Sequence, residues 1–125
     1  MVRDQAYFNS ITEQIIGCAY KVANHLGPGF LEKVYENALA YEAKQNDLNV
    51  EQQFPISVMY EDLIVGEYFA DLLVQEEIIV ELKAVKALDS SHFAQCMNYL
   101  KATGKKVCLL INFGSPKVEI KRIMN

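Results

Sequence analysis

The spacing of hydrophobic positions predicts two helices at the start of the chain. Between residues 5 and 26, apolar side chains recur at steps of three and four, which is the period of one helix face. The Gly-Pro-Gly segment at 27–29 ends this helix, because glycine suits a helix C-terminus and proline cannot continue the hydrogen-bond ladder. A second amphipathic helix is predicted over 30–46.

After residue 47 the pattern becomes that of extended strands, interrupted by one more helix. That third helix begins after the capping side chains of residues 89–91 and ends near residue 102, before Gly104. The predicted strands span residues 50–60, 66–74, 78–84, 106–113 and 117–123. The order α-α-β-β-β-α-β-β indicates an α/β or α+β fold, with helices flanking a mixed sheet.

The composition limits the chain to a single domain over residues 1–125. It is 51% hydrophobic, which suffices for a core, and no apolar run approaches the roughly 18 residues of a membrane span. The first residues lead into a polar, amphipathic stretch, not a signal-peptide core. The three cysteines are widely spaced and lack a CxxC pair, so we expect no disulfide scaffold and a cytoplasmic location.

The charges are unevenly distributed along the chain. The formal net charge is −4, which argues against a protein that simply coats nucleic acid. Residues 1–100 carry six Lys and Arg against fifteen Asp and Glu, whereas residues 101–125 carry six against one. This basic segment is either a solvated surface or an edge that meets phosphates.

The predicted hairpin around Glu76 brings acidic side chains together. If the turn is centred on Glu76, Asp71 and Glu81 are cross-strand neighbours, and Lys83 lies on the same face as Glu81. The two strands are apolar on both faces, so they are expected to be covered on both sides. Two adjacent carboxylates in such a sheet repel each other, and Mg²⁺ held by these oxygens would offset the repulsion. The alternative is a surface hairpin on which the lysine pairs with one carboxylate.

Three further polar residues are candidates for the same site. Glu32 lies in the first turn of the second helix, where an acid also simply favours the helix dipole. Gln95 and Tyr99 are four residues apart and share one face of the third helix, which also suits the edge of a core. His92 is close enough to Gln95 to assist at a phosphate, but we expect an exposed helical histidine.

These residues resemble the motifs of a known family. The segment at 29–35, Gly-Phe-Leu-Glu-Lys-Val-Tyr, fits the signature of the small GxxExxY proteins, which resemble the PD-(D/E)XK nuclease superfamily. Asp71 followed by the Glu-Leu-Lys at 81–83 is similar to the superfamily's D…ExK core, with Ala70 in place of the proline. Gln95 and Tyr99 fit the QxxxY motif of its RecB-like nucleases. The element order agrees with the αβββαβ core of that fold.

The resemblance implies a role for each residue. Asp71 and Glu81 would be metal ligands, with the carbonyl of Leu82 as a third and Glu32 completing the acidic cluster. Lys83 would hold or activate the attacking water and stabilise charge on the phosphate. The remaining two candidates, Gln95 and Tyr99, would orient the site or contact the nucleic-acid backbone.

The function implied is that of a nuclease that uses Mg²⁺ or Mn²⁺ to hydrolyse phosphodiester bonds of nucleic acid, with DNA expected rather than RNA. The alternative is a catalytically silent module of the same fold that binds nucleic acid or a protein partner, because fold does not fix function. A homodimer or larger assembly, formed through the first helix or the edge strand 117–123, is a further hypothesis. No membrane association is expected.

Overall fold

The computed structural model describes residues 4–125, which form three helices and five strands. Among these residues, no helix has both the length and the apolar character that a membrane span requires. The predicted order of elements is confirmed; the largest difference is that the second strand begins three residues earlier, at Leu63. The elements are α1 (Gln5–Leu26), α2 (Glu32–Gln45), β1 (Val50–Tyr60), β2 (Leu63–Val74), β3 (Ile78–Lys83), α3 (Ser90–Thr103), β4 (Val107–Asn112) and β5 (Glu119–Met124).

The five strands form one mixed sheet in the order β1-β2-β3-β4-β5. The pair β3–β4 is parallel, and the other three pairs are antiparallel. Since parallel neighbours need a crossover connection, α3 links β3 to β4 across one face of the sheet. The predicted α+β class, with helices around a mixed sheet, is therefore confirmed.

Each face of the sheet is covered by helix, and this is why β3 and β4 are apolar throughout. Alternate residues of these strands point to opposite faces, so both sets of side chains are buried. One core lies beneath α1 and α2 and includes Leu82 and Ile111. The other lies beneath α3 and includes Ile79, Leu100 and Leu110.

The first two strands extend beyond the rest of the sheet. β2 pairs with β1 along its whole length, from Leu63 to Val74, but its pairing with β3 covers Leu72–Val74. Residues 54–70 thus form a two-stranded projection, which we call the arm. Many of its large apolar side chains are exposed to solvent: Met59, Tyr60, Leu63, Ile64, Val65, Tyr68 and Phe69.

Both strands of the arm change faces where they leave the sheet. Leu72 packs in the core beneath α1 and α2, but Ala70, two residues earlier, packs in the core beneath α3. A regular strand would place both on one face. The change falls at Asp71 and at Gln53 opposite, which has a φ of +55° and is unpaired between Gln52 and Phe54. A left-handed φ in a residue other than glycine costs about 1–3 kcal/mol, and such irregularities cluster beside functional sites.

Candidate active site

Asp71 and Glu81 lie opposite each other at the point where β2 separates from β3. The last backbone pair is Leu72 with Val80, so the predicted register of this hairpin is confirmed. The Asp71 N–H donates to Oε1 of Glu81 at 2.9 Å, and the Leu82 N–H donates to Oδ2 of Asp71 at 2.8 Å. Each carboxylate therefore accepts a hydrogen bond from the backbone of the opposite strand, which fixes both side chains.

Burial controls the protonation of this carboxylate pair. It is the main reason why the pKa of Glu81 rises to about 8, and the neighbouring Asp71 charge is the second cause of this rise. Burial also raises the pKa of Asp71, partly opposed by the hydrogen bond from the Leu82 N–H. In the absence of a cation, the pair therefore retains a proton at neutral pH. A bound cation would favour the fully ionised form.

Lys83 lies near both carboxylates but pairs with neither. Its positive charge lowers the pKa values of Asp71, Glu81 and Glu32, which places the ammonium within electrostatic range of all three. Among residues 4–125, it forms no ion pair within 4.0 Å. The alternative prediction of a surface hairpin, with this lysine paired to a carboxylate, is wrong. The ammonium remains available to an incoming anion.

Glu32 lies at the solvent-accessible rim of the site. Partial burial is the main cause of its raised pKa, and the charge of Asp71 also raises it.

Tyr35 holds the loop between α1 and α2 in place. Its hydroxyl donates to the Gly27 carbonyl at 2.6 Å and accepts from the Phe30 N–H at 3.2 Å. The Tyr35 ring is fully buried and stacks on Phe113 at 4.7 Å. The tyrosine thereby ties the start of α2 to the end of β4.

Sequence reasoning missed a buried carboxylate, Glu36. The residue is 3% exposed, and its carboxylate accepts hydrogen bonds from Gln52 at 2.7 Å, Gln53 at 2.8 Å and Lys33 at 3.0 Å. It acts on Asp71 electrostatically, since its charge contributes to the raised pKa of that residue. The signal was present in the sequence: Glu36 follows Glu32 by four residues and so lies on the same face of α2.

Gln53 connects this carboxylate to the predicted pair. Its Nε2 lies 2.8 Å from Oε1 of Glu36 and 3.4 Å from Oδ1 of Asp71. The left-handed backbone at Gln53 allows β1 to change faces at this point. The side-chain amide of Gln53 thus lies between the carboxylates of Glu36 on α2 and Asp71 on β2.

The two predicted residues of α3 close the site on its other side. Gln95 Nε2 donates to the Tyr99 hydroxyl at 3.1 Å. Burial, together with the nearby Glu81 charge, raises the pKa of Tyr99 to about 12, so this hydroxyl stays protonated.

The prediction that His92 is exposed is wrong. Its side chain is 17% exposed, and its Nδ1 accepts a hydrogen bond from the Asp89 N–H, which completes a capping box at the start of α3.

The oxygen donors of this site suit a hard divalent cation. In the described residues 4–125, no group of three or more His, Cys, Asp or Glu residues is arranged to hold a metal ion. Mg²⁺, however, is usually bound by one or two carboxylates, with water and substrate phosphate completing its shell. Glu81 Oε2 accepts no hydrogen bond from the described residues, and Asp71 Oδ1 accepts one long one. Each carboxylate therefore retains an oxygen for a cation.

The fold and the acidic pair beside a lysine define a class of nuclease-like domains. The sequence profile of the PD-(D/E)XK nuclease superfamily matches residues 9–123. The chain therefore belongs to that superfamily. No curated protein sequence matches it significantly.

Two solved structures share the fold. One is an alkaline exonuclease from Laribacter hongkongensis, with a TM-score of 0.55 and 15% identity over 100% of this chain and 72% of that chain. The other is the protein SSO0001, with a TM-score of 0.57 and 18% identity over 96% of this chain and 60% of that one. At these identities, the similarity establishes a common fold.

Proposed function

We propose that this protein is a nuclease that hydrolyses phosphodiester bonds, with DNA as its substrate and Mg²⁺ or Mn²⁺ as its cofactor. The observation that carries the proposal is the pairing of Asp71 with Glu81 by backbone hydrogen bonds, next to the unpaired ammonium of Lys83. Superfamily membership supports it. The proposal also includes the roles that the GxxExxY signature implies for Glu32 and that the QxxxY motif implies for Gln95 and Tyr99.

Asp71 and Glu81 would hold the cation, together with the Leu82 carbonyl, and Glu32 would extend the acidic cluster from the rim. When bound there, a divalent cation would supply neutralising charge at the phosphate and a lowered pKa for a water that it holds. Lys83 stabilises the negative charge that develops on the phosphate, because its ammonium is not neutralised by a close acidic partner.

Residues on β1, α2 and α3 surround this centre. Gln53, which donates a hydrogen bond to Glu36, also donates a long one of 3.4 Å to Oδ1 of Asp71. Gln95 and Tyr99 present an amide and a protonated hydroxyl, which are suited to donate hydrogen bonds to phosphate oxygens.

The test is cleavage of single-stranded and duplex DNA and RNA with Mg²⁺, Mn²⁺ or EDTA. Lys83→Ala and Glu81→Gln should each lower the cleavage rate by roughly 100-fold or more, as expected when a transition-state contact is lost. Lys86→Ala is the matched control, because this lysine is exposed and three residues away. Equal activity in all four proteins would point to a contaminating nuclease and contradict the proposal.

One observation favours the alternative, a catalytically silent module. Asp71 and Glu81 already satisfy part of their hydrogen-bonding capacity through each other's strands, and a third metal-ligating residue is not preassembled among residues 4–125. Salt-sensitive nucleic-acid binding without cleavage in either metal would support this module.

A further inference from the structure

A groove of about 820 Å³ lies between the outer part of the arm and α3. Val58, Met59 and Tyr68 form the wall on the arm, and the opposite wall is a single face of α3 from Ser91 to Ala102. With a rise of 1.5 Å per residue, this face is about 16 Å long.

One part of the groove lies near the acidic pair. Gln95 and Tyr99 line it, and Tyr99 is close enough to Glu81 for that charge to affect its hydroxyl. Tyr99 also packs in the same core as Ala70, the residue before Asp71. A chain lying in the groove would therefore pass beside the proposed catalytic centre.

Tyr68 presents an aromatic ring to this groove. The side chain is 50% exposed, yet its position is defined on two sides. Its ring centroid lies 5.8 Å from that of Tyr99. Its Cε2 also covers Gly66, where an added Cβ would lie 3.4 Å away. The ring is thus half-exposed, with Tyr99 and Gly66 beside it.

The charge of the groove differs from that of the whole chain. The chain has a net charge of −4, but none of the described residues that line the groove is acidic, and Lys101 is among them. Asn98 adds an exposed amide on the same helix face. An exposed aromatic ring and a lysine, with no acidic side chain, are the features expected of a surface that binds single-stranded nucleic acid.

We infer that the groove binds one strand of nucleic acid, with a base stacked on Tyr68 and a phosphate beside Lys101, and that it delivers this strand to the acidic pair. This inference rests on the proposed function and specifies its substrate as single-stranded. The stacking on Tyr68 favours a single strand, because the bases of a duplex are stacked on one another and do not expose their faces.

The experiment measures the affinity of fluorescein-labelled oligothymidine by fluorescence anisotropy at low salt in EDTA, so that no cleavage occurs. Tyr68→Ala should weaken binding about 5- to 150-fold, the range for loss of one stacked base. Tyr68→Phe should retain the wild-type affinity. Phe69→Ala is the matched control, because Phe69 is the adjacent residue of β2, is similarly exposed and is not among the residues lining the groove.

The lysine and the strand preference are tested with the same assay. Lys101→Ala should reduce the slope of log K against log salt concentration by about 0.7, as expected for one phosphate contact on a single strand. Lys86→Ala should leave the slope unchanged. A labelled duplex of matched length should bind more weakly than the single strand.

Four results would overturn the inference: wild-type affinity in Tyr68→Ala, an equal loss in Phe69→Ala, equal affinity for duplex, or no binding of the single strand. Failure of the proposed function looks different. Tyr68-dependent binding without cleavage in Mg²⁺ or Mn²⁺ would refute the proposed nuclease activity and support the groove as a binding site. Cleavage that requires Lys83 but is unaffected by Tyr68→Ala would support the proposed nuclease activity and refute strand binding in the groove.

Discussion

Glu81→Gln should stabilise the metal-free protein at alkaline pH, although it removes a proposed metal ligand. The Glu81 side chain is 3% exposed and accepts a hydrogen bond from the Asp71 N–H. A glutamine of the same shape can accept that hydrogen bond through its amide oxygen. The substitution therefore removes the buried charge and keeps the geometry.

The size of the effect follows from the pKa of Glu81, which burial and the Asp71 charge raise from 4.5 to about 8. Between these two values, the folded protein holds a proton that the unfolded chain has lost. The stabilisation from that proton is complete below pH 4.5 and is lost as the pH rises through 8. Wild type should lose up to about 1.4 kcal/mol of unfolding free energy per pH unit across this window relative to the glutamine variant, or a few kcal/mol in all.

Urea unfolding followed by circular dichroism, at several pH values between 4.5 and 8.5 and in EDTA, measures this difference. The unfolding free energies of the two proteins should be closest at the acidic end. As the pH rises, the unfolding free energy of the variant should increase steadily relative to that of wild type. Excess Mg²⁺ should stabilise wild type more than the variant, because the cation favours the ionised pair. A difference in unfolding free energy that stays constant with pH would refute a buried, proton-retaining Glu81.

Three other substitutions test how the fold supports the site, each by thermal or urea unfolding. Tyr35→Phe should cost about 1–3 kcal/mol, because it removes the buried hydroxyl that ties the loop before α2, whereas the exposed Tyr41→Phe should be neutral. Gly114→Ala should cost several kcal/mol, since a Cβ there overlaps backbone just after β3; Gly17→Ala, in open space within α1, should not destabilise. Asp89→Ala should cost about 1 kcal/mol through loss of the α3 cap. Equal stability of a variant and its wild type would contradict the corresponding contact.

The sequence was sufficient to predict the hairpin register and the neighbouring positions of Asp71 and Glu81. The apolar runs on either side of residues 75–77 and the alternation of side chains along a strand indicate both. The turn residues themselves give no such signal, because Gln75 and Glu76 have φ values of +54° and +57° without being glycine or asparagine. The burial of β3 and β4 on both faces was also predictable, because their apolar runs leave no solvent-facing side.

The contributions of Glu36 and Gln53 depend on tertiary structure. Glu36 reaches the site because α2 packs across β1, and no local pattern specifies that distance. The left-handed φ of Gln53 could not be predicted from the sequence either, since the residue at this position is neither glycine nor asparagine. His92 was mispredicted for a related reason: a histidine at the third position of a helix can accept the capping hydrogen bond usually taken by Glu or Gln.

The change of faces at Gln53 and Asp71 has a mechanical consequence. The two strands pass from the sheet into the arm through these residues, so the backbone that carries the Asp71 carboxylate also sets the direction in which the arm leaves the sheet. A substitution that straightened either strand here would move the acidic side chain and redirect one wall of the groove together.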